Sequence, residues 1–576
     1  MQLVRRFRVP ALFCALAVLV CELISRPFVE MGICDDWSYI HTAQKLADTG
    51  HFIYSGWAPA LQFWQAYLAL ALIKLFGFSM TTVRMSTLLV AVALAFVLQR
   101  TMVRANISER NATIGTLTLI LSPLYLMLSV TFMTDIHGLF ATVLCLYGCL
   151  RALQSPTFRA AVAWLCFAVV TNAVCGTSRQ IAWLGILVMV PCTLWLLRSR
   201  RGVLIAGAAA NLAGAVFILV CLHWLKQQPY SVPEHLFVQS YPLAKTFGEF
   251  LYAFMDVPLL LLPVAALFLP EIRRLRPLAI AILAALLLCY LFLAIYPSHL
   301  RGTFPLEPMP GGLGEWVNVH AIFDYLILKG TPPVFLHRGT QILLTIASFG
   351  GTAGLVVSLL RSRKPSSPVS SSPSISWAQL GVLLVPFTLI YLLLLVSRAA
   401  TAGIHDRYLL GILVFPLIAL VRYYQEQIHP QLPLASVLMV GIIAIYSIAA
   451  THNMFALYRA RVAIAAELRA SGVPDTSVDN GWEYNSEVEL QHADAINDFR
   501  MGIPANAYVP TPPLPTSTCT MNEFDETPHI HPLYGISFDP YECYGPAPFA
   551  PVTYSRWLAS RSGMLYVVRY TAPPKP

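Results

Sequence analysis

The stretch Met31-Gly-Ile-Cys-Asp-Asp-Trp-Ser-Tyr39 joins the first long apolar segment of the chain to a short amphipathic run at residues 39–47. Two adjacent carboxylates, Asp35 and Asp36, therefore lie where a segment long enough to cross a membrane has just reached the surface. Charged groups near lipid are costly and usually have a structural or chemical role. We expect the rest of the chain to act as a scaffold for this loop.

Apolar residues dominate the 576-residue chain, of which 57% is hydrophobic and 12% charged, and the mean hydropathy is +0.64. A soluble protein cannot bury this much apolar surface, so the composition predicts a polytopic membrane protein. The formal net charge of +9 does not indicate nucleic-acid binding, because most Arg and Lys residues lie in short clusters between apolar runs. That placement is typical of cytoplasmic loops facing anionic lipid.

Thirteen apolar segments, nearly free of charged residues, are long enough to span a membrane with some tilt. They centre on residues 10–25, 85–99, 112–133, 136–150, 160–178, 181–197, 203–222, 252–270, 278–297, 340–360, 377–397, 408–421 and 434–452. Basic residues cluster on alternate connections, which the positive-inside rule makes cytoplasmic. The N-terminus is therefore predicted inside, the C-terminus outside, and residues 26–84 form a first extracytoplasmic loop.

Residues 61–78 form a further apolar segment that we do not count as a span. The segment contains Lys74 and a face rich in Trp, Gln and Tyr. Counting it as a span would place Arg100, Arg104 and Arg110 outside and invert every later loop. We therefore expect a helix that lies in the outer membrane–water interface.

Three acidic residues near the outer surface are the candidate catalytic groups: Asp35, Asp36 and Asp135. Asp35 and Asp36 have a structural interpretation, because carboxylates at the start of a helix satisfy its free N–H groups and its dipole. They have a chemical one as well, since a carboxylate there can act as a general base. Two carboxylates allow one role each. Asp135 lies in a turn of a few residues between two spans, where acidic side chains are usually paired or functional.

Five arginines lie at predicted outer boundaries, against the usual inside bias: Arg179, Arg301, Arg338, Arg398 and Arg407. One or two such arginines are common interface anchors. Five beside acidic residues indicate a pocket for a phosphate or pyrophosphate, which guanidinium groups bind in bidentate fashion. The alternative for each arginine is a structural ion pair with Asp135, Glu315 or Asp406.

Seven further residues of the same loops are candidates for a substrate pocket: Trp37, Tyr39, Trp57, Trp64, His137, Gln180 and Tyr408. Aromatic side chains at this depth can stack on sugar rings, although many simply lie at the headgroup level. His137 follows Asp135 closely, which leaves a divalent-cation site open. One histidine among scattered carboxylates does not identify a metal.

The composition changes near residue 460, where apolar segments stop and Pro, Asp, Asn and aromatic residues rise. Alternating runs such as residues 563–570 predict strands. We therefore predict a membrane module over residues 1–459 and a small α+β extracytoplasmic domain over residues 460–576. Cys519 and Cys543 lie in this polar region and can form a disulfide if it is extracytoplasmic.

The order of these motifs resembles the GT-C superfamily of polyprenyl-phosphate-dependent glycosyltransferases, and within it the bacterial protein-mannosyltransferase and lipid A aminoarabinose-transferase type. The matching elements are Asp35-Asp36-Trp-Ser-Tyr-Ile after one span, Pro59-Ala-Leu-Gln-Phe-Trp-Gln-Ala-Tyr, Thr134-Asp135 and Asp406-Arg407-Tyr408-Leu-Leu. The tail segment Asp479-Asn-Gly-Trp-Glu-Tyr-Asn485 is similar to tails of bacterial members. The chain departs from the family in having Asp-Asp where Asp-Glu is common.

The resemblance implies an all-α GT-C fold in a bacterial inner membrane, with the active site on the periplasmic face. It implies a polyprenyl-phosphate-linked hexose or pentose as donor and a lipid, glycan or protein as acceptor. One Asp of the first loop would act as base, with inversion at the anomeric carbon. No Walker or Rossmann glycine motif occurs in the sequence, in line with a lipid-linked donor. A divalent cation is the one cofactor left open.

Two other classes of protein fit the apolar composition. A transporter or lipid flippase usually has ionisable residues at mid-span in both halves, together with internal repeats. The predicted mid-spans here are nearly free of charge, and the sequence shows no repeat. A non-catalytic membrane sensor would account for the polar tail but would leave Asp135 and the outer arginines unexplained. A transferase accounts for more of the sequence than either.

Overall fold

A computed structural model describes residues 9–233, 240–295, 320, 328–361, 375–400, 403–511, 518–521 and 523–572. Helices dominate the part before residue 471: α1 Val9–Ser25, α2 Asp36–Thr49, α3 Phe63–Phe76, α4 Met80–Arg104, α5 Glu109–Ile120, α6 Pro123–Ser129, α7 Asp135–Gln154, α8 Phe158–Cys175, α9 Val190–Leu196, α10 Arg201–Leu225, α11 Leu243–Leu260, α12 Leu262–Ala265, α13 Pro277–Ile295, α14 Arg338–Leu360, α15 Trp377–Ala400, α16 Asp406–Gln427 and α17 Leu434–Ala470.

Eight of the described helices are long and apolar enough to cross a membrane: α4, α7, α8, α10, α14, α15, α16 and α17. Two bent helix pairs raise this number to ten when each pair is counted as one span. The remaining predicted segments correspond to shorter apolar helices, namely α1, α13 and the broken helix Gln180–Leu196. The all-α polytopic class is confirmed, while the count of thirteen spans and their orientation stay predictions.

The predicted segment 112–133 is not one straight helix. It breaks at Ser122-Pro123 into α5 and α6, which are bent by 69° relative to each other. Pro123 has no N–H to continue the ladder of α5, and the Ser122 hydroxyl accepts the Tyr125 N–H to start α6. The chain then leaves helical conformation and reaches Asp135 at the start of α7. The break therefore places residues 130–134 between α6 and the first turn of α7, beside Asp135.

The predicted segment 181–197 is also broken, into a 3-10 turn, Gln180–Trp183, a π-helical turn, Gly185–Met189, and the helix α9. Asn172 of α8 inserts its amide here, accepting the Ile186 N–H at 3.1 Å and donating to the Ala182 carbonyl at 2.9 Å. A side chain that takes over main-chain hydrogen bonds interrupts a regular helix. The segment 252–270 is likewise bent by 73°, at Leu261, between α11 and the run Leu262–Arg274.

Helix α7 lies at the centre of the bundle, since 78% of its most apolar stretch is buried. Helix α10 lies at the edge, with 22% of the corresponding stretch buried. Among these eight described helices, the one that carries Asp135 is therefore the most enclosed by protein. Helix α3 lies where residues 61–78 predict a helix, and its end is open, with Leu75 and Phe76 73% and 75% exposed. Its position in the membrane interface stays a prediction.

The C-terminal region holds a small sheet and one helix, as the sequence predicts. Its elements are β1 Val478–Asp479, α18 Trp482–Ala493, β2 Tyr534–Ser537, β3 Val552–Tyr554 and β4 Gly563–Arg569. The strand order is β1-β2-β4-β3, with β1 parallel to β2 and the other pairs antiparallel. Cys519 and Cys543 form a disulfide, with Cα atoms 5.7 Å apart. Helix α17 is 37 residues long and runs past the predicted domain boundary at residue 459, which remains a prediction.

Candidate active site

Asp36 is a buried structural residue of the first loop. Its carboxylate has no exposed surface and accepts four hydrogen bonds, two from Arg84 at 2.8 and 3.1 Å and one each from the Ile33 and Phe132 N–H groups. Arg84, also fully buried, donates in addition to the Val29 and Met31 carbonyls. This pair fastens the loop to α4 and to the segment after α6. Because its oxygens are already engaged and unexposed, Asp36 is not available to a substrate.

Asp35, one residue earlier, has a different environment. Its side chain is 21% exposed, its Oδ1 accepts the Trp57 indole N–H at 2.8 Å, and its Oδ2 lies 3.4 Å from the guanidinium of Arg407. Asp35 occupies the residue before α2, but its side chain makes no capping hydrogen bond. The two adjacent carboxylates thus differ in their surroundings: Asp36 is enclosed and ion-paired with Arg84, while Asp35 is partly exposed.

Asp135 begins α7 and is 1% exposed, with its Oδ1 2.7 Å from a guanidinium nitrogen of Arg179. The same arginine donates to the Thr134 hydroxyl at 3.1 Å. Gly138, one turn along α7, leaves the space that the Arg179 stem fills, since a Cβ there would lie 2.7 Å from its Cδ. A carboxylate in the first turn of a helix is also favoured by the helix dipole. Asp135 therefore holds Arg179 in place.

Three of the five predicted arginines surround one tyrosine. The guanidinium carbons of Arg179, Arg407 and Arg398 lie 5.3, 5.4 and 5.8 Å from the ring centre of Tyr408. A small cleft beside them is lined by Asp135, Gly138, Arg179, Tyr391, Arg407 and Gly411, among others. Two of these cations have a carboxylate partner, Asp135 for Arg179 and Asp35 for Arg407, so the three arginines and two aspartates leave an excess of positive charge at the cleft, which favours an anionic ligand.

Tyr39 connects the two acidic residues of the site. It is 8% exposed, and burial, followed by the charge of Asp35, raises its pKa above the usual value. Arg407, Asp135 and Arg179 also act on its hydroxyl electrostatically. Asp35 and Asp135 are therefore members of one charged cluster, although they lie 100 positions apart in the chain.

The other predicted site residues have varied surroundings. Gln180 donates to the Pro59 carbonyl at 2.9 Å, which joins the turn after α8 to the loop before α3. His137 is fully buried with its ring 3.3 Å from the Thr87 hydroxyl, and Trp64 packs against an apolar cluster around Ala141. Neither lines the cleft. Arg338 is exposed at the start of α14, and Arg301 lies outside the described residues. Within the described ranges, no group of three or more His, Cys, Asp or Glu residues is placed to hold a metal ion.

The C-terminal region supplies contacts that the sequence analysis did not assign to the site. Trp482 of α18 packs against Trp57 and Trp37, with ring centres 4.7 and 5.5 Å apart, and the Arg500 guanidinium lies 5.3 Å from the Trp57 ring centre. Glu483, 1% exposed, pairs with Arg461 at 2.9 Å and accepts the Cys34 N–H. The sequence drew attention to residues 479–485 through their similarity to the tails of other bacterial proteins, but it did not predict these contacts.

Glu487 of α18 makes a further contact, accepting the Gly32 N–H through its Oε1. Burial, only partly offset by this hydrogen bond and by the charge of Arg84, raises its pKa from 4.5 to about 8. Between these two pKa values the folded protein keeps the proton on Glu487 while the unfolded chain has released it. The stability that the protonated Glu487 contributes is therefore complete at low pH and is lost as pH rises through about 8.

We expect the thermal midpoint of wild type to fall relative to that of Glu487→Gln between about pH 5 and about pH 9. Parallel midpoint curves for the two proteins would contradict this.

The solved structures that resemble the chain include the following three. Two of them are crystal structures of ArnT from Cupriavidus metallidurans, each 13% identical to this chain. The structure of the apo state has a TM-score of 0.40 and covers 96% of this chain and 97% of ArnT. The structure bound to undecaprenyl phosphate has a TM-score of 0.41 and covers 98% of this chain and 99% of ArnT. The S. cerevisiae protein O-mannosyltransferase Pmt1-Pmt2 complex bound to the sugar donor shares 14% identity, with a TM-score of 0.32, over 39% of this chain and 34% of that one. No family model and no curated protein sequence matches. Sequence identities and TM-scores as low as these do not assign a function to the chain.

Proposed function

We propose that the chain is an integral-membrane glycosyltransferase of the GT-C type that moves a sugar from a polyprenyl-phosphate donor to an extracytoplasmic acceptor. The observation that supports this is the contact between Asp35 and Arg407, at 3.4 Å, beside the cleft that Arg179 lines. A carboxylate able to accept a proton thus lies next to cations able to bind a phosphate. The order of motifs along the sequence supports the same family.

Asp35 is the proposed general base. It takes the proton of an acceptor hydroxyl or amine as the acceptor attacks the anomeric carbon of the donor sugar. The bond from that carbon to the phosphate oxygen breaks with inversion, and polyprenyl phosphate leaves. Asp36 cannot take this part because its oxygens are engaged and buried. Asp135 acts through Arg179, which it holds at the cleft.

Arg407, Arg179 and Arg398 are the proposed partners of the donor phosphate. Negative charge develops on the phosphate as the glycosidic bond breaks, and cations already fixed at that position stabilise the transition state without reorganising. Arg407 is 8% exposed and Arg179 19%, so little water screens their charges. The apolar helices would hold the polyprenyl tail in the bilayer, with the cleft on the periplasmic side of a bacterial inner membrane.

Glycan and lipid profiling of a deletion strain tests the proposed function. We expect one glycan, glycolipid or glycoprotein to lose a sugar in the deletion strain, and a plasmid carrying the wild-type chain to restore it. A strain with Asp35→Asn should not restore the sugar although the protein reaches the membrane in equal amount. A deletion strain whose glycans and lipids are unchanged, or full restoration by Asp35→Asn, would overturn the proposal.

Arg407→Ala should weaken the binding of undecaprenyl phosphate to the purified full-length protein by about 10–100-fold, the range for one lost charge-assisted hydrogen-bonding partner. Uncharged undecaprenol, measured in parallel, should bind equally to both proteins because only the phosphate contacts the guanidinium. Arg338→Ala is the matched control, since Arg338 is an exposed arginine at the start of α14. Equal weakening by both substitutions, or none by either, would remove Arg407 from the phosphate site.

A further inference from the structure

We infer that the C-terminal region positions the Asp35 carboxylate through Trp57, with Trp482 and Arg500 as the residues that hold the indole. The inference rests on the proposed function, in which Asp35 is the base. Trp57 gives Asp35 its short hydrogen bond, 2.8 Å from indole nitrogen to Oδ1, while the Arg407 contact to Oδ2 is long at 3.4 Å. The indole therefore fixes the plane of the carboxylate more closely than the arginine does.

Trp57 lies in a stretch of chain without regular secondary structure. Residues 50–62 contain neither helix nor strand, so no regular backbone limits the rotamer of the indole. Its direction depends on what packs around it. A side chain that must aim a catalytic group needs such support from packing and from further hydrogen bonds.

That support comes from residues more than 400 positions later in the chain. Trp482 packs on the Trp57 ring at 4.7 Å, and the Arg500 guanidinium lies over the ring at 5.3 Å. Arg500 also donates to the Trp57 carbonyl at 3.5 Å, and the Ile496 N–H donates to the Ser55 carbonyl at 2.8 Å. Both the ring and the main chain at Trp57 are thus held by the C-terminal region.

Two further contacts make the arrangement rigid. Trp37, 1% exposed, packs against Trp482, with the two ring centres 5.5 Å apart. Arg500 is itself held by the buried carboxylate of Asp498 through its Nε, at 2.8 and 2.9 Å. The cation over Trp57 is therefore a fixed one. A chain of contacts leads from Asp498 through Arg500 and Trp57 to the oxygen of Asp35.

Trp57→Phe is the variant that tests this inference, because it keeps an aromatic ring for Trp482 and Arg500 while removing the N–H donor together with part of the bulk of the indole. Purified full-length protein is added to membranes of the deletion strain, which contain both donor and unmodified acceptor. We expect a rate about 10-fold lower than wild type, a loss larger than the small fall in thermal midpoint that the reduced packing causes. Because the lost N–H favoured the ionised carboxylate, the acid limb of the rate–pH profile should move to higher pH.

Arg500 offers a second, graded test. Arg500→Leu should lower the rate about 3–10-fold and move the acid limb in the same direction, while Arg500→Lys keeps a cation over the ring and should restore most of the rate. Arg469→Leu is the matched control: Arg469 also belongs to the C-terminal part of the chain and pairs with Asp475, and it is 61% exposed. Its rate and profile should equal those of wild type.

The outcomes separate this inference from the proposed function. If Asp35→Asn is inactive while Trp57→Phe and Arg500→Leu keep the wild-type rate and profile, the inference is wrong and the proposed function stands. If Asp35→Asn is fully active, the proposed function is wrong as well. If the rates of Trp57→Phe and Arg500→Leu fall only in proportion to a lower thermal midpoint, with the acid limb unmoved, the contacts are structural and the inference is overturned.

Discussion

Asp35→Asn is expected to lower sugar transfer by about 10²–10⁴-fold, the range that general-base catalysis contributes. Asn keeps the size of the side chain and an oxygen that accepts the Trp57 N–H, but it cannot take a proton. The protein should therefore insert and unfold as wild type does. The measurement is the rate of product formation in membranes of the deletion strain, with equal amounts of protein.

Asp48→Asn is the matched control for this substitution, because Asp48 is an exposed carboxylate on α2, the helix that follows Asp35. We expect wild-type activity from it. Activity of Asp35→Asn within a few-fold of the control would show that the carboxylate is not the base. The aspartates that remain, Asp36 and Asp135, would then need to be tested as bases despite their pairing with Arg84 and Arg179.

Arg84→Met is expected to have the largest effect on stability. It leaves the unexposed carboxylate of Asp36 without its partner, and breaking a buried ion pair from one side typically costs about 3–5 kcal/mol. The double substitution Arg84→Met with Asp36→Asn should recover part of the loss, because no buried charge is left uncompensated. Thermal unfolding and protease resistance of the full-length protein in detergent measure both effects.

The pair Lys45 and Asp494 is the control for this experiment. Like Asp36, Lys45 belongs to α2, and its Nζ lies 2.9 Å from Oδ1 of Asp494 at the end of α18. The side chains of Lys45 and Asp494, however, are 30% and 71% exposed. Exposed ion pairs contribute about 0–1 kcal/mol, so Lys45→Ala should change the midpoint little. A loss as large for Lys45→Ala as for Arg84→Met would mean that burial does not set the strength of these pairs.

Much of the membrane part was predictable because apolar segments and basic clusters are local signals. Within the described residues, each of the thirteen predicted segments overlaps one or more helices, and the helix at residues 63–76 was expected. The break after Gln180 was not expected, since it depends on a partner from another helix. Asn172 interrupts the helix after Gln180 from outside it. The break at Pro123 had a local signal, because a proline preceded by serine can start a new helix.

The candidate site was predictable in its residue types but not in its assignment. Asp35 and Asp36 are the same amino acid in neighbouring positions, and only the three-dimensional partners distinguish them: Arg84 for one, Trp57 for the other. The arginines were found because their placement opposes the positive-inside rule, and Arg179, Arg398 and Arg407 lie around Tyr408. The contribution of Trp482 and Arg500 could not be read from the sequence, because their contacts to Trp57 join residues more than 400 positions apart.

A structure of the full-length protein determined with undecaprenyl phosphate tests the central claim most directly. We expect the phosphate to bind in the cleft between Arg407 and Arg179, within hydrogen-bonding distance of both, with Asp35 facing the same space from the extracytoplasmic side. A phosphate bound elsewhere, or Asp35 separated from the lipid headgroup by the width of the membrane, would contradict it.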